Sequence, residues 1–311
     1  MGTGSRDMAF ETIRSRDRKS ADPGSSLLGA CRLSVYLLFT VLCMPVQYAL
    51  VRLGAPLRRR FPRWYHAICC RLMGLDVVVL GRPSALHPTL FVSNHSSYLD
   101  IPVLGSVLPV SFVAKAEVER WPFFSWLAKL QQTVFIDRTA KREAQRQADS
   151  MVGRLQAGDN LILFPEGTSS DGNRTLPFKT ALFAVASTRV GDGPLTVQPV
   201  SVTATHLDGM PLGHGLRALY AWYGDMELPP HLWRMIRAGR LRVVVEFHAA
   251  VTLDQFSSRK ALADHCWRQV AQGVDRAVTG RTPRPAMAGA DSTARPDSAL
   301  PGDPGAMAAA G

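Results

Sequence analysis

Ser93-Asn94-His95-Ser96-Ser97-Tyr98-Leu99-Asp100 is the stretch on which the reading of this chain turns. It follows Thr89-Leu90-Phe91-Val92, an apolar run that predicts a short buried strand. Tyr98, Ile101, Pro102 and Leu104-Gly105 then carry a helix-like pattern. Of the eight histidines, only His95 has an aspartate five positions later. If the helix starts near Ser97, Asp100 lies one turn inside. Helical side chains lean toward the N-terminus, so its carboxylate can reach His95 at the strand–helix junction. Two readings stand side by side. In one, His95 is a general base whose tautomer Asp100 holds, leaving the other ring nitrogen to take a hydroxyl proton. In the other, Ser97-x-x-Asp100 is a capping-box-like helix start, with Asp100 favoured by the helix dipole.

Three more segments follow in order. Val134-Phe135-Ile136-Asp137-Arg138 comes first. Leu161-Ile162-Leu163-Phe164 is a second buried-strand run, ending in Pro165-Glu166-Gly167-Thr168-Ser169-Ser170. Val197-Gln198-Pro199-Val200-Ser201-Val202 closes the set.

These four blocks resemble the glycerolipid acyltransferase family that includes the 1-acylglycerol-3-phosphate acyltransferases and lyso-ornithine lipid acyltransferases. The family's His-x4-Asp motif matches His95 to Asp100, and its phenylalanine-proline-glutamate-glycine-threonine motif matches Phe164 to Thr168. Its isoleucine-aspartate-arginine segment matches Ile136 to Arg138, and its valine-proline block matches Gln198-Pro199-Val200. The resemblance covers about residues 60 to 205. It implies acyl transfer from acyl-CoA or acyl carrier protein, with no other cofactor, to a lysolipid hydroxyl. It makes His95 the base and Asp100 its orienter. Glu166, Gly167 and Thr168 then belong to the acceptor pocket, Arg138 faces an acceptor phosphate, and Lys115 adds charge. A thioester is already activated, so one base suffices without a covalent enzyme intermediate. The backbone around Gly167-Thr168 is the candidate oxyanion donor. Arg138 has the competing reading of a partner for Asp137.

Many family members carry arginine directly after the glycine-threonine pair, where this chain has Ser169. The favoured acceptor is 1-acyl-sn-glycerol-3-phosphate, on the four blocks and the donor fork of Arg138. The neutral Ser169 keeps a lyso-ornithine lipid, whose head group carries carboxylate and amine, as the alternative.

The chain has 311 residues and a net charge of +11, which implies an anionic partner. The basic residues are scattered and form no nucleic-acid-binding motif, so anionic membrane is the expected surface and nucleic acid is not. The five cysteines form no C-x-x-C pair and no metal-ligand set, which fits a reducing compartment. His95 has no second His or Cys nearby, so no metal site is expected. No G-x-S-x-G elbow is present for a serine hydrolase. A catalytically inactive membrane adaptor is the distant alternative.

Residues 1–26 and 280–311 read as disordered tails, 27–74 as a membrane-associated helical segment, and 75–279 as the acyltransferase α/β domain. Leu33 to Val51 is almost wholly apolar and near the lower limit for a spanning helix. Arg14, Arg16, Arg18 and Arg32 precede it, and Arg52, Arg58, Arg59 and Arg60 follow it. That symmetry, with Pro45 near the middle, predicts a bent or re-entrant hairpin with both ends cytoplasmic. The expected location is the inner membrane, with the catalytic domain on the cytosolic face. Pro62 to Leu75 reads as an amphipathic interfacial helix. Trp121 to Leu127 is conspicuously aromatic, either core packing or an acyl-chain pocket or membrane-facing wall. Pro177 to Thr188 is expected to be a helix, and Leu241 to Val251 a strand. The aromatic segments Ala221 to Met226 and Pro229 to Trp233 have no assigned role. Strands alternating with helices predict an α/β fold: a central mixed sheet flanked by helices, preceded by the N-terminal hairpin.

Overall fold

Strand β2 (Thr89–Ser93) is buried along its whole length, and its alternating side chains feed two separate cores. Phe91 points into one core, while Leu90 and Val92 point into the other. β5 (Leu161–Leu163) divides in the same way, with Ile162 on one side and Leu161 and Leu163 on the other. A strand covered on both faces has no polar side to present, which is why both runs are continuously apolar. The computed structural model describes residues 24–121, 123–136 and 141–281. Asp137, Arg138, Arg14, Arg16, Arg18 and nearly all of both expected tails lie outside the described residues.

The remaining main strands are β1 (Leu75–Leu80), β3 (Ser111–Lys115), β4 (Val134–Ile136), β6 (Thr196–Leu207) and β7 (Leu241–Phe247). Their order across the sheet is β1-β7-β6-β2-β5-β3-β4. β6, β2, β5, β3 and β4 run parallel to one another. β7 runs antiparallel to β6, and β1 runs parallel to β7. The sheet is therefore mixed, and the carboxyl ends of five parallel strands gather along one edge, where open α/β sheets place their ligands.

Helices α1 (Ser26–Arg52), α2 (Phe61–Leu72), α3 (Asp100–Val107) and α4 (Phe124–Leu130) lie in the amino-terminal half. α5 (Lys141–Gln156), α6 (Leu228–Arg237) and α7 (Arg259–Val278) complete the layers. One core joins the sheet to α2, α3 and α6, and the other joins it to α5 and α7.

The amino-terminal hairpin turns at a different place from the one expected. Pro45 sits inside α1, a single 27-residue helix about 40 Å long. The chain reverses instead through Gly54, whose φ of 63° favours glycine, and a 3-10 turn at Pro56–Arg59. α2 then returns along α1. The Phe39 ring packs at 5.6 Å from both Trp64 and Tyr65, and the hydroxyls of Thr40 and Tyr65 are 2.9 Å apart. By length and composition α1 can cross a membrane. Several of its apolar side chains are exposed among the described residues, Leu38 and Leu42 at 62 % each.

The flanking arginines serve the fold. Arg32 donates to the carbonyls of Ile236, Ala238 and Gly239, capping the C-terminus of α6 where a cation is favoured. Arg58 reaches back to the Gly54 carbonyl, and Arg59 pairs with Asp159 at 2.6 Å. Two further expectations need correction. After Pro177 the chain stays extended, because the Lys179 amide bonds the Pro165 carbonyl, and only Thr180–Ser187 coils, as a 3-10 helix. The expected strand Leu241 to Val251 is broken at 248–250. There the His248 backbone bonds to Pro199 and the Gln198 side chain, and pairing resumes only at Val251–Thr252.

Candidate active site

At the end of β2 the Asn94 side chain takes over where backbone pairing stops. Its amide donates to the Val202 carbonyl and its oxygen accepts the Val202 N–H, both at 2.8 Å. The main chain is thereby free to leave the sheet while still tied to β6. His95 follows, and its Nδ1 lies 2.9 Å from Asp100 Oδ2. Asp100 is wholly buried, whereas the His95 side chain keeps 24 % exposure. The carboxylate can only accept, so Nδ1 carries the hydrogen and a neutral ring leaves Nε2 as a base. Nε2 has no hydrogen-bond partner among the described residues. The ring lies on Phe164, centroids 4.2 Å apart and planes 22° apart.

α3 begins at Asp100 rather than near Ser97. Oδ2 also accepts the Ser96 and Ser97 amides at 2.8 and 3.0 Å. Tight-turn bonding and imidazole orientation thus fall on the same oxygen, although the full capping box does not form, since the Ser97 hydroxyl accepts the Leu99 amide and α3 has no side-chain cap. The other oxygen, Oδ1, accepts the Tyr220 hydroxyl at 2.7 Å. Tyr220 is 120 residues away in sequence. It lies just before the unassigned aromatic segment, and its only signal is a tyrosine between Leu219 and Ala221 in apolar company.

Glu166, on the loop leaving β5, is 2 % exposed and sits beneath the histidine loop. Its Oε1 accepts the His95 amide at 3.3 Å, while Oε2 is buried with no hydrogen-bond partner among the described residues. Burial pushes its carboxyl up to about 8; the His95 and Leu176 amides oppose that shift and the Asp100 charge adds to it. Gly167 adopts φ 76° and its amide bonds the Phe164 carbonyl, so that N–H serves the turn and is not an open oxyanion donor. Thr168 is exposed. The Ser170 amide then bonds the His95 carbonyl at 2.9 Å, tying this loop to the histidine loop. Lys115 ends β3 on the same sheet edge and is exposed. Hydrogen bonds thus bring His95, Asp100 and Glu166 together, with Gly167 and Thr168 next to Glu166 in the same loop and Lys115 at the same sheet edge. Arg138 is outside the described residues.

A largely apolar cavity of about 190 Å³ lies between the hairpin and α3 and α4. Tyr98 and Leu99, from the histidine loop, form part of its wall, as does Phe112, whose ring stacks on Phe164. Phe124 and Leu127 face the cavity, whereas Trp126 is 61 % exposed. The aromatic stretch therefore serves as pocket wall and outer surface at once. Trp222 lies near Tyr98 and Trp121, ring centroids 6.0 and 6.2 Å apart, and Tyr98 bonds His231 at 3.0 Å. The aromatic segments of 221–233 therefore roof this side of the site.

Comparison with known proteins agrees with this geometry. An acyltransferase family model matches residues 77–203. A lyso-ornithine lipid O-acyltransferase of Brucella abortus is 42 % identical over 76 % of this chain and 90 % of its own length. A second, from Rhizobium meliloti, is 40 % identical over 78 % and 84 %. A 1-acyl-sn-glycerol-3-phosphate acyltransferase of Neisseria meningitidis is 33 % identical over 67 % and 80 %. The crystal structure of the 1-acyl-sn-glycerophosphate acyltransferase PlsC of Thermotoga maritima shares the fold, with a TM-score of 0.58 and 22 % identity. It covers 81 % of this chain and 93 % of its own. A mixed sheet with a His-x4-Asp pair at its carboxyl edge, and relatives matched over most of their length, place this chain in the glycerolipid acyltransferase family, as an acyltransferase of the lysolipid type.

Proposed function

We propose that this enzyme transfers a fatty acyl group from acyl-CoA or acyl carrier protein to the free hydroxyl of a lyso-ornithine lipid, at the cytosolic face of the inner membrane. The observation that carries the acceptor is the similarity at 40–42 % identity to proteins of that name, over most of their length. Ser169 agrees with it, since a neutral side chain stands where many family members hold a cation for phosphate.

His95 Nε2 takes the acceptor hydroxyl's proton as the oxygen attacks the thioester carbon. Asp100 stabilises the imidazolium that forms. The oxyanion donor is assigned to the backbone of the loop around Gly167-Thr168, through an N–H other than that of Gly167, which bonds the Phe164 carbonyl. Collapse breaks the C–S bond, and the imidazolium returns its proton to the departing thiolate. An ester, a free thiol and a neutral histidine result. The apolar cavity beside Tyr98 and Leu99 takes an acyl chain. Lys115 and Arg138 are assigned to the head group by family resemblance.

The second reading is 1-acyl-sn-glycerol-3-phosphate as acceptor, favoured by the Neisseria relative and by Arg138. Competition between the two lysolipids in the purified protein decides through the ratio of their kcat/KM values. A preference for lyso-ornithine lipid is expected, and a preference for the phosphate-bearing acceptor would overturn the assignment.

A further inference from the structure

We infer that Tyr220 is a positioning residue of the His95–Asp100 pair, fixing the carboxylate through the oxygen that His95 does not use. The inference rests on the reading of His95 as the base. Asp100 is completely buried, and among the described residues it pairs with no lysine or arginine. Its charge is held by hydrogen-bond donors. Oδ2 receives His95, Ser96 and Ser97, whereas Oδ1 receives Tyr220. Without that hydroxyl, Oδ1 becomes a buried anionic oxygen with no partner. The carboxylate then turns more unshielded charge toward Nδ1 and loses the bond that fixes its rotation about Cβ–Cγ. Tyr220 therefore sets both the rotation of the carboxylate and the share of its charge that reaches the imidazole.

Tyr220 is itself firmly held. It is 1 % exposed, and its amide bonds the Arg217 carbonyl at 2.9 Å. Two residues on, the Trp222 amide bonds the Ser96 carbonyl at 2.8 Å, within the base loop. Arg217 donates to Asn173 Oδ1 at 2.7 Å and to the carbonyls of Ala204 and Leu212. A Cβ at Gly172 would lie 3.5 Å from that of Ala221 and 3.7 Å from that of Ser96. The strap 217–222 therefore joins the base loop to the loop that follows Glu166. The other titratable groups in this field are Glu166 from the β5 loop, Cys70 from α2, and Tyr98. Burial, reinforced by the Asp100 charge, holds the Tyr220 phenol well above its ordinary range, so it remains a donor across the working pH.

The test uses the full-length protein in detergent micelles with a labelled thioester donor and whichever lysolipid it prefers. Tyr220→Phe keeps the ring and removes the donor. Losing one charge-assisted hydrogen bond is expected to lower kcat roughly tenfold with little change in KM. The acid limb of the kcat/KM profile should move to higher pH by about half a unit, because a less shielded carboxylate holds the imidazolium proton more tightly. 3-Fluorotyrosine incorporated at position 220, a stronger donor of nearly the same shape, should move that limb to lower pH while keeping kcat near wild type. Opposite displacements by the two proteins support the role. A limb that neither protein moves overturns it, even if Tyr220→Phe is slower, since a purely structural tyrosine affects stability alone. Should Tyr220→Phe fail to fold, the fluorotyrosine protein decides by the same criterion. Failure of the base assignment would appear separately, as turnover in a well-folded His95→Ala protein.

Discussion

Replacing Glu166 by glutamine should change how stability depends on pH, by an amount that follows from the site. In the folded chain this buried carboxyl keeps its proton up to about 8, against an ordinary value of 4.5. Between those two pH values the folded state binds more protons than the unfolded state, so stability falls as pH rises through the window and levels off above it. At 1.36 kcal/mol per unit, the span amounts to about 5 kcal/mol. Glutamine has nearly the same shape and cannot ionise, so Glu166→Gln removes this slope. The two proteins should melt at similar temperatures near pH 5 and diverge above it, the glutamine variant becoming the more stable. For a chain of this size the difference at pH 9 corresponds to about 10 °C in Tm or more. Tryptophan fluorescence melts in detergent at pH 5, 7 and 9 measure it, and other titrating groups cancel in the comparison. Parallel pH dependences for the two proteins would refute the claim that Glu166 is neutral in the fold, and would make it an ionised acceptor ligand instead.

His95→Ala should abolish acyl transfer with the fold intact, and Asp100→Asn should lower turnover by orders of magnitude; labelled-acyl assays beside circular dichroism check both. Arg32→Ala removes three bonds to the end of α6 and should cost about 2 kcal/mol, seen as a lower Tm, with Arg32→Lys recovering part of it. The exposed leucines of α1 should keep the protein in membranes through high salt and alkaline carbonate, release requiring detergent, whereas attachment through arginines alone would yield to salt. Ser169→Arg should selectively reduce activity on lyso-ornithine lipid by repelling its amine, and preserve or raise activity on 1-acyl-sn-glycerol-3-phosphate, as the kcat/KM of each acceptor will report.

What the sequence disclosed, and what it hid, follows from how far each determinant reaches along the chain. β2 and β5 were legible because strands covered on both faces must be apolar throughout, and the polar residues that follow each run, Asn94-His95 and Glu166, mark the sheet edge. The His95–Asp100 pair was legible because one turn closes it. The reversal at Gly54 was not: Pro45 is the more conspicuous breaker, yet it removes a single hydrogen bond from a 27-residue helix, while Gly54 ends that helix by adopting φ 63°. Charge counting does not reveal that Arg32, Arg58 and Arg59 are engaged by carbonyls and by Asp159 within the fold, which no spacing announces.

Tyr220 shows the general limit. Its partner is 120 residues away, and the two meet only because β2 and β6 are neighbours and the segment after β6 folds back over the base loop. The same folding explains why Asp100 could be read both as a cap and as an orienter. A carboxylate wholly removed from water needs every donor it can reach, so Ser96 and Ser97, which shape the turn, and His95, the proposed base, converge on one oxygen. That leaves the second oxygen to be satisfied from elsewhere in the chain. A buried anion at a local motif thus implies a distant donor, although sequence alone does not say which residue supplies it.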